Sequence, residues 1–245
     1  MSDTEFAKYV KDGAYHWDAV SSSPSKHVAF TSGRYAVVMN QAVKWTDATV
    51  LDIACGDARL SAFVAEAGAR FVVGVDLSHI GISAGRIRWN REQRGTLARA
   101  AFIQGDGLKL PVAGNTFDIV IASEVIEHVN DPREFIVEAS RPLKQGGTLI
   151  VTTPYRLTET PLDPHHTHEY FPGELTELMK DFFSDVQVTV SHPAWVTSLY
   201  TLNGWAKPFR FLTNMLAIIG SNPFTAWPIG RYAAQITIAG QKKLL

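Results

Sequence analysis

A chain of 245 residues has room for one α/β domain. Hydrophobic residues make up 46% and charged residues 19%, which excludes a largely disordered chain. The 23 Lys and Arg nearly cancel the 24 Asp and Glu, so no nucleic-acid partner is expected, and the one cysteine, Cys55, excludes both an intrachain disulfide framework and a cysteine-rich zinc site.

Residues 1–47 are mixed in character, with a break at Ser21-Ser22-Ser23-Pro24, and read as helices and loops outside the main sheet. The first residues, MSDTEFAKYVKDG, are polar and carry no apolar signal core. No stretch approaches the roughly 20 apolar residues that span a bilayer. The cytoplasm is therefore the expected address. Val50-Leu51-Asp52-Ile53-Ala54 reads as a strand buried on both faces. Ala58 to Gly68 has Leu60, Phe63, Val64 and Ala67 at helical spacing, with Gly68 as the stop. A second strand is predicted over Phe71–Asp76, followed by a helix that Ser78 caps. Ala101-Phe102-Ile103 leads to Gly105-Asp106 as a third strand, and Phe117–Ala122 is a fourth. Asp131-Pro132 starts a helix through Phe135, Ile136 and Ala139. Gly146-Gly147 ends that unit, Thr148–Thr152 forms a fifth strand, and Ala234–Ala239 reads as the last.

Strands alternating with helices imply βαβ units and a parallel sheet. In such sheets ligands sit beyond the carboxyl ends of the strands. There the first strand offers Gly56, whose missing side chain lets a ligand approach the backbone at a helix start. Asp76 ends the second strand, where it can accept two hydroxyl hydrogen bonds from a ribose. Asp106 ends the third, within reach of an adenine amino group. A dinucleotide site would want Gly-x-Gly-x-x-Gly, but those places hold Ala54, Gly56 and Arg59. A cofactor without pyrophosphate fits better.

The segments VLDIACGDARL, VVGVDLS, FIQGDGLKLPVAGNTFDIVIASEVIEHV and RPLKQGGTLIVTTP, in this order, resemble the core of class I S-adenosylmethionine-dependent methyltransferases. Ala54 departs from the family's usual first glycine. The resemblance implies a doubly wound α/β fold: a mostly parallel seven-stranded sheet with helices on both faces and helical or loop lid segments, its last strand antiparallel. It implies S-adenosylmethionine as cofactor and S-adenosylhomocysteine as product. It puts Asp52, Ala54 and Gly56 near the cofactor's amino-acid part and Asp76 with Leu77 at the ribose. Gly105, Asp106 and Gly107 border adenine, and Ser123, Glu124 and the N-terminal Tyr15 complete the cofactor set.

The fourth strand runs into Ser123-Glu124-Val125-Ile126-Glu127-His128. One helical turn could bring Glu124 and His128 to the same side. A hydroxyl acceptor needs a base, and histidine titrates near neutrality. His128 equally suits a packing role beneath the cofactor loop. Glu124, His128 and His168 are the candidate catalytic residues. The pattern Glu124-x-x-Glu127-His128 … His168 resembles two subfamilies. One comprises ubiquinone-pathway and natural-product O-methyltransferases. The other comprises RNA 2′-hydroxyl methyltransferases, in which two glutamates and two histidines bind a divalent metal. The histidines His165, His166 and His168 are as well explained as polar loop residues, so no metal is expected. Arg86, Arg88, Arg91, Arg94 and Arg99 follow the second strand and read as a solvated face.

The reading is one domain: a cap over 1–47, a cofactor core over 48–154, an acceptor-side lid with later strands over 155–234, and a last strand and tail over 235–245. Both flanks are aromatic, with Tyr15, His16 and Trp17 at one end and Trp195, Tyr200, Trp205, Phe209, Phe211, Phe224 and Trp227 at the other. They suit an organic acceptor, a satellite core, a homodimer contact or a membrane-surface contact. The expected function is O-methylation of a small organic or sugar-containing acceptor. The alternatives are metal-dependent RNA methylation and a non-catalytic cofactor-binding regulator.

Overall fold

A computed structural model describes residues 7–92, 99–161, 163–202, 206–225 and 233–243. The short β-branched runs form β1 (Thr49–Ile53), β2 (Phe71–Asp76), β3 (Arg99–Gln104), β4 (Phe117–Ser123) and β5 (Leu143–Pro154). With β6 (Phe183–Pro193) and β7 (Ala233–Lys242) they make a seven-stranded sheet in the order β3-β2-β1-β4-β5-β7-β6. Neighbours from β3 to β5 pair in parallel, and β7 runs antiparallel to both β5 and β6. This is the doubly wound sheet the alternation predicts.

Alternate residues of each strand enter opposite cores. On one face Leu51, Ile53 and Val120 meet Phe135 and Ile136 of α6 (Pro132–Ser140) and Leu175 and Met179 of α7 (Pro172–Lys180). On the other, Val50, Val72 and Ile121 meet Leu60 and Val64 of α4 (Arg59–Glu66) and Val38 of α3 (Ala29–Met39). Asp131 caps α6 by accepting from the Glu134 amide, and Ser78 caps α5 (His79–Glu92) by accepting from Gly81, as the sequence predicts.

One detail differs from the sequence reading. Gly146-Gly147 does not end a unit. β5 runs through both, because the β4–β5 register shifts between Phe117 and Ile119 and the glycines absorb the bulge. A Cβ at Gly147 would lie 2.9 Å from the Asp118 carbonyl. Within 155–234 the strand is 183–193: β7 lies between β5 and β6, and each needs the other's backbone partners. The arginines after β2 form a largely exposed face, with Arg86, Arg91 and Arg99 open to solvent. Arg86 donates to the Phe102 carbonyl and Arg88 pairs with Asp18 and Glu92, while Arg94 lies outside the described residues.

The N-terminal helices α1 (Ala7–Asp12) and α2 (Tyr15–Ala19) fold back onto the turn after β1. Buried Asp57 is their anchor. Its carboxylate accepts from the His16 amide at 2.7 Å and lies 3.1 Å from His16 Nδ1, and its carbonyl accepts from Trp17 Nε1 at 2.7 Å. The Arg59 guanidinium sits against the rings of Trp17 and Phe63. From the opposite side α5 approaches so closely that a Cβ at Gly85 would lie 2.5 Å from the Asp57 carbonyl. The segment 194–225 carries α8 (Ala194–Thr201) and α9 (Lys207–Ile218). Both pack onto the start of α3, through Tyr200 and Asn214 to the Ala29 amide. Trp205, Trp227 and Pro228 lie outside the described residues.

Candidate functional site

A cleft of about 470 Å³ opens where the strand order reverses, between the carboxyl ends of β1 and β4. Its floor is Asp52, Ala54, Cys55 and Gly56 after β1, with Asp76 at the end of β2. The far wall is Ser123, Glu124, Val125, Glu127 and His128. Tyr9, His16, Arg34 and Tyr35 close it from the N-terminal helices, and Asp163, His165 and His166 from the loop after β5.

The turn after β1 is sharply wound. Ala54, Gly56 and Ala58 all have left-handed backbone angles, with φ of 55°, 56° and 60°. For an alanine this costs about 1–2 kcal/mol, so the glycine usual at position 54 is replaced here at some strain. Gly56 cannot be replaced as easily, since its Cβ would stand 2.2 Å from the Tyr9 hydroxyl. Asp76 braces the turn: Oδ2 accepts from the Gly56 amide and Oδ1 from the Ser78 amide, each at 2.7 Å. Burial pushes the Asp52 carboxyl up to about 7, against the opposing hydrogen bond from the Ser61 hydroxyl at 2.6 Å. Burial also raises the Tyr9 hydroxyl well above its ordinary value, aided by the Asp57 and Asp76 charges.

On the far wall, Glu124 leaves β4 with φ at 58°. Its carboxylate is held by Arg34 at 3.0 Å, by the Thr152 hydroxyl at 2.8 Å and by the Gln235 amide. A single 3₁₀ turn, Ile126–His128, then brings His128 into the cleft. His128 Nδ1 lies 3.0 Å from the His165 carbonyl. A carbonyl only accepts, so Nδ1 carries the proton and Nε2 is the basic nitrogen. The rings of His128 and His166 meet edge to face at 5.0 Å, and His166 Nδ1 lies 2.8 Å from the buried Glu169 carboxylate. Ligand atoms of Glu127, His128 and His166 all lie within 4.8 Å of one another. Glu127 is buried; its Oε2 accepts from the Thr153 hydroxyl, while Oε1 has no hydrogen-bond partner among the described residues. Burial and the neighbouring Glu124 charge push its carboxyl well above the usual range.

Of the residues singled out from the sequence, Asp52, Ala54, Gly56, Asp76, Ser123, Glu124 and His128 line the cleft. Leu77, Gly105, Asp106 and Gly107 do not; Leu77 follows Asp76, whose carbonyl accepts from the Gly105 amide. Tyr15 packs against the His16 ring instead of the cleft surface. His168 turns away, onto the Tyr170 ring and toward Glu174, and His166 takes the inward place. Sequence reasoning missed Tyr9, Arg34 and Asp57. The one charged residue in the stretch Ala29–Met39 was a signal for Arg34; nothing local marked the other two.

Residues 51–151 match the methyltransferase domain family. A probable S-adenosylmethionine-dependent methyltransferase of Mycolicibacterium smegmatis is 34% identical over 162 residues, 63% of this chain and 60% of that protein. A ubiquinone biosynthesis O-methyltransferase of a Ruegeria species is 30% identical over 164 residues, 62% of this chain and 64% of that protein. The chain thus spans less than two thirds of either relative. Among solved structures, Haemonchus contortus phosphoethanolamine N-methyltransferase 2, in complex with S-adenosyl-L-methionine, superposes with a TM-score of 0.67 at 18% identity, over 100% of this chain and 60% of that one. Over residues 51–151 the chain thus matches the methyltransferase domain family, and it is similar in sequence to S-adenosylmethionine-dependent methyltransferases.

Proposed function

We propose that the chain transfers a methyl group from S-adenosylmethionine to a hydroxyl of a small organic acceptor. The observation that carries this reading is His128: its proton is fixed on Nδ1 by a carbonyl, and it lines the same cleft as the Gly56–Asp76 turn. When bound, the cofactor supplies an electrophilic methyl on a sulfonium. Asp76 would accept from the ribose hydroxyls with the lone pairs its backbone donors leave. Asp52, Ala54 and Gly56 would meet the amino-acid part, and Gly105, Asp106 and Gly107 the adenine beyond Asp76. Glu124 would act by position, orienting Arg34 across the cleft. His128 Nε2 would take the acceptor's proton as the oxygen attacks. His166 is the second histidine of this proposal in place of His168. The Ruegeria relative's name supports oxygen as the target. A screen of phenolic and aliphatic hydroxyl acceptors with methyl-labelled cofactor tests it; labelling of amines alone would sink the assignment to oxygen.

A second reading rests on Glu127, His128 and His166. One carboxylate with an unpartnered oxygen and two imidazoles suit Mg²⁺, Mn²⁺ or Zn²⁺. It replaces the ligand set suggested by resemblance, because Glu124 is committed to Arg34 and His168 faces away. Cation titration by calorimetry, with and without Glu127→Gln, separates the two readings.

A further inference from the structure

The helix α9 is built inside out. Thr213 and Asn214 are buried: Asn214 Oδ1 accepts from the Ala29 amide and the Tyr200 hydroxyl, and its amide donates to the Pro24 carbonyl. Phe211, Leu212, Met215 and Ile219 are exposed, Ile219 at 71%. Residues 211, 215 and 219 recur every four positions, so they form one stripe along the outer face. On α8 and just after it, Trp195 (64% exposed) and Leu202 are exposed too. A surface helix normally points such residues at the core, and an exposed apolar stripe of this length marks an interaction surface.

Charge says what the surface meets. No acidic residue follows Asp185, and α9 itself carries Lys207 and Arg210. The segment bearing the stripe has no negative charge, and exposed Lys207 stands one turn before Phe211. An anionic bilayer surface complements both features, taking the apolar stripe among its acyl chains and the cations among its headgroups. No helix among the described residues is long and apolar enough to cross a membrane, which leaves a helix lying in the interface plane.

We propose that α8 and α9 dock the protein on anionic phospholipid surfaces, α9 lying flat with Phe211, Met215 and Ile219 inserted. The surface is close to the chemistry: Asn214 and Tyr200 hold the first residue of α3, and Arg34, on the same helix, lines the cleft. Docking would bring the cleft to acceptors dissolved in the membrane.

The test is flotation of the full chain with phosphatidylcholine vesicles that contain or lack phosphatidylglycerol. Binding is expected to vesicles containing phosphatidylglycerol and to weaken with added salt. The double variant Phe211→Ser/Ile219→Ser should lower partitioning by at least about tenfold. Lys207→Glu should weaken binding about fivefold at low salt. Both variants should bind S-adenosylhomocysteine as the parent does, since none of these residues touches the cleft. Absence of flotation with anionic vesicles overturns the proposal, as does equal flotation of the double variant. So does a dimer in sedimentation that the same substitutions abolish while vesicles stay unbound, which would assign the stripe to a second copy.

Discussion

Replacing Asp76 with Ala perturbs fold and ligand together, and the two effects can be separated. The carboxylate accepts from two buried amides, Gly56 and Ser78, at 2.7 Å each. A buried donor left without a partner costs about 1–3 kcal/mol. The cleft is open enough for water to reach Gly56, so the lower half of the combined range, about 2–4 kcal/mol, is expected for the ligand-free protein. For a chain of this size that lowers Tm by about 4–16 °C, at about 2–4 °C per kcal/mol. The proposed ribose contacts add a further loss of about 1.5–3 kcal/mol, or about 10–150-fold in cofactor affinity. Scanning calorimetry without cofactor reads the first effect; titration calorimetry with S-adenosylhomocysteine, below the variant's melting range, reads the second. Asp76→Asn keeps one acceptor oxygen and should fall between the two on both readouts. An unchanged Tm would refute the bracing role. Undiminished affinity in a folded variant would refute the cofactor assignment, whatever the Tm.

Three further outcomes are expected. His128→Ala should lower turnover with an aliphatic hydroxyl acceptor by about 10²–10⁴-fold and leave cofactor affinity nearly unchanged; a loss confined to cofactor affinity would make it a structural prop. Gly85→Ala forces a Cβ to 2.5 Å from the Asp57 carbonyl, so α5 must shift, and stability should fall by about 1–3 kcal/mol with cofactor affinity weakened alongside; a wild-type Tm would show that the turn yields freely. Asp52 in the folded state keeps a proton up to pH about 7 that the unfolded chain releases near 4, so its contribution to stability falls as pH rises through that window. His192, which burial lowers to about 3 while its Nε2 faces the Phe30 carbonyl, works oppositely: below about 6.5 the unfolded chain takes a proton that the folded one refuses, and stability falls with pH. Asp52→Asn should therefore be more stable than the parent at pH 8 and lose stability more steeply in acid, at about 1.4 kcal/mol per pH unit from His192; equal pH profiles in denaturant titrations would show that Asp52 titrates normally.

The sequence by itself determined the sheet from β1 to β5, because buried parallel strands must be short apolar runs and two of the helices between or after them carry their own caps. Asp131 before Pro132 and Ser78 before α5 are local chemistry, legible without the fold. So were Asp52, Gly56, Asp76 and Glu124, since the ends of parallel strands meet at one edge of any such sheet. Only the tertiary structure decided what depends on partners far apart in sequence. Asp57 anchors His16, 41 residues away, and Glu124 is held by Gln235, 111 residues away. The choice of His166 over His168 was made by the loop after β5, where the Thr167 and His168 amides both donate to the Glu127 carbonyl. With the backbone pinned there, residues two apart in an irregular loop face opposite ways, and no local periodicity says which faces in. The outward stripe of α9 likewise reads in sequence as an ordinary amphipathic helix. Which of its faces is inside was set by hydrogen bonds to Ala29 and Pro24, nearly the whole chain away.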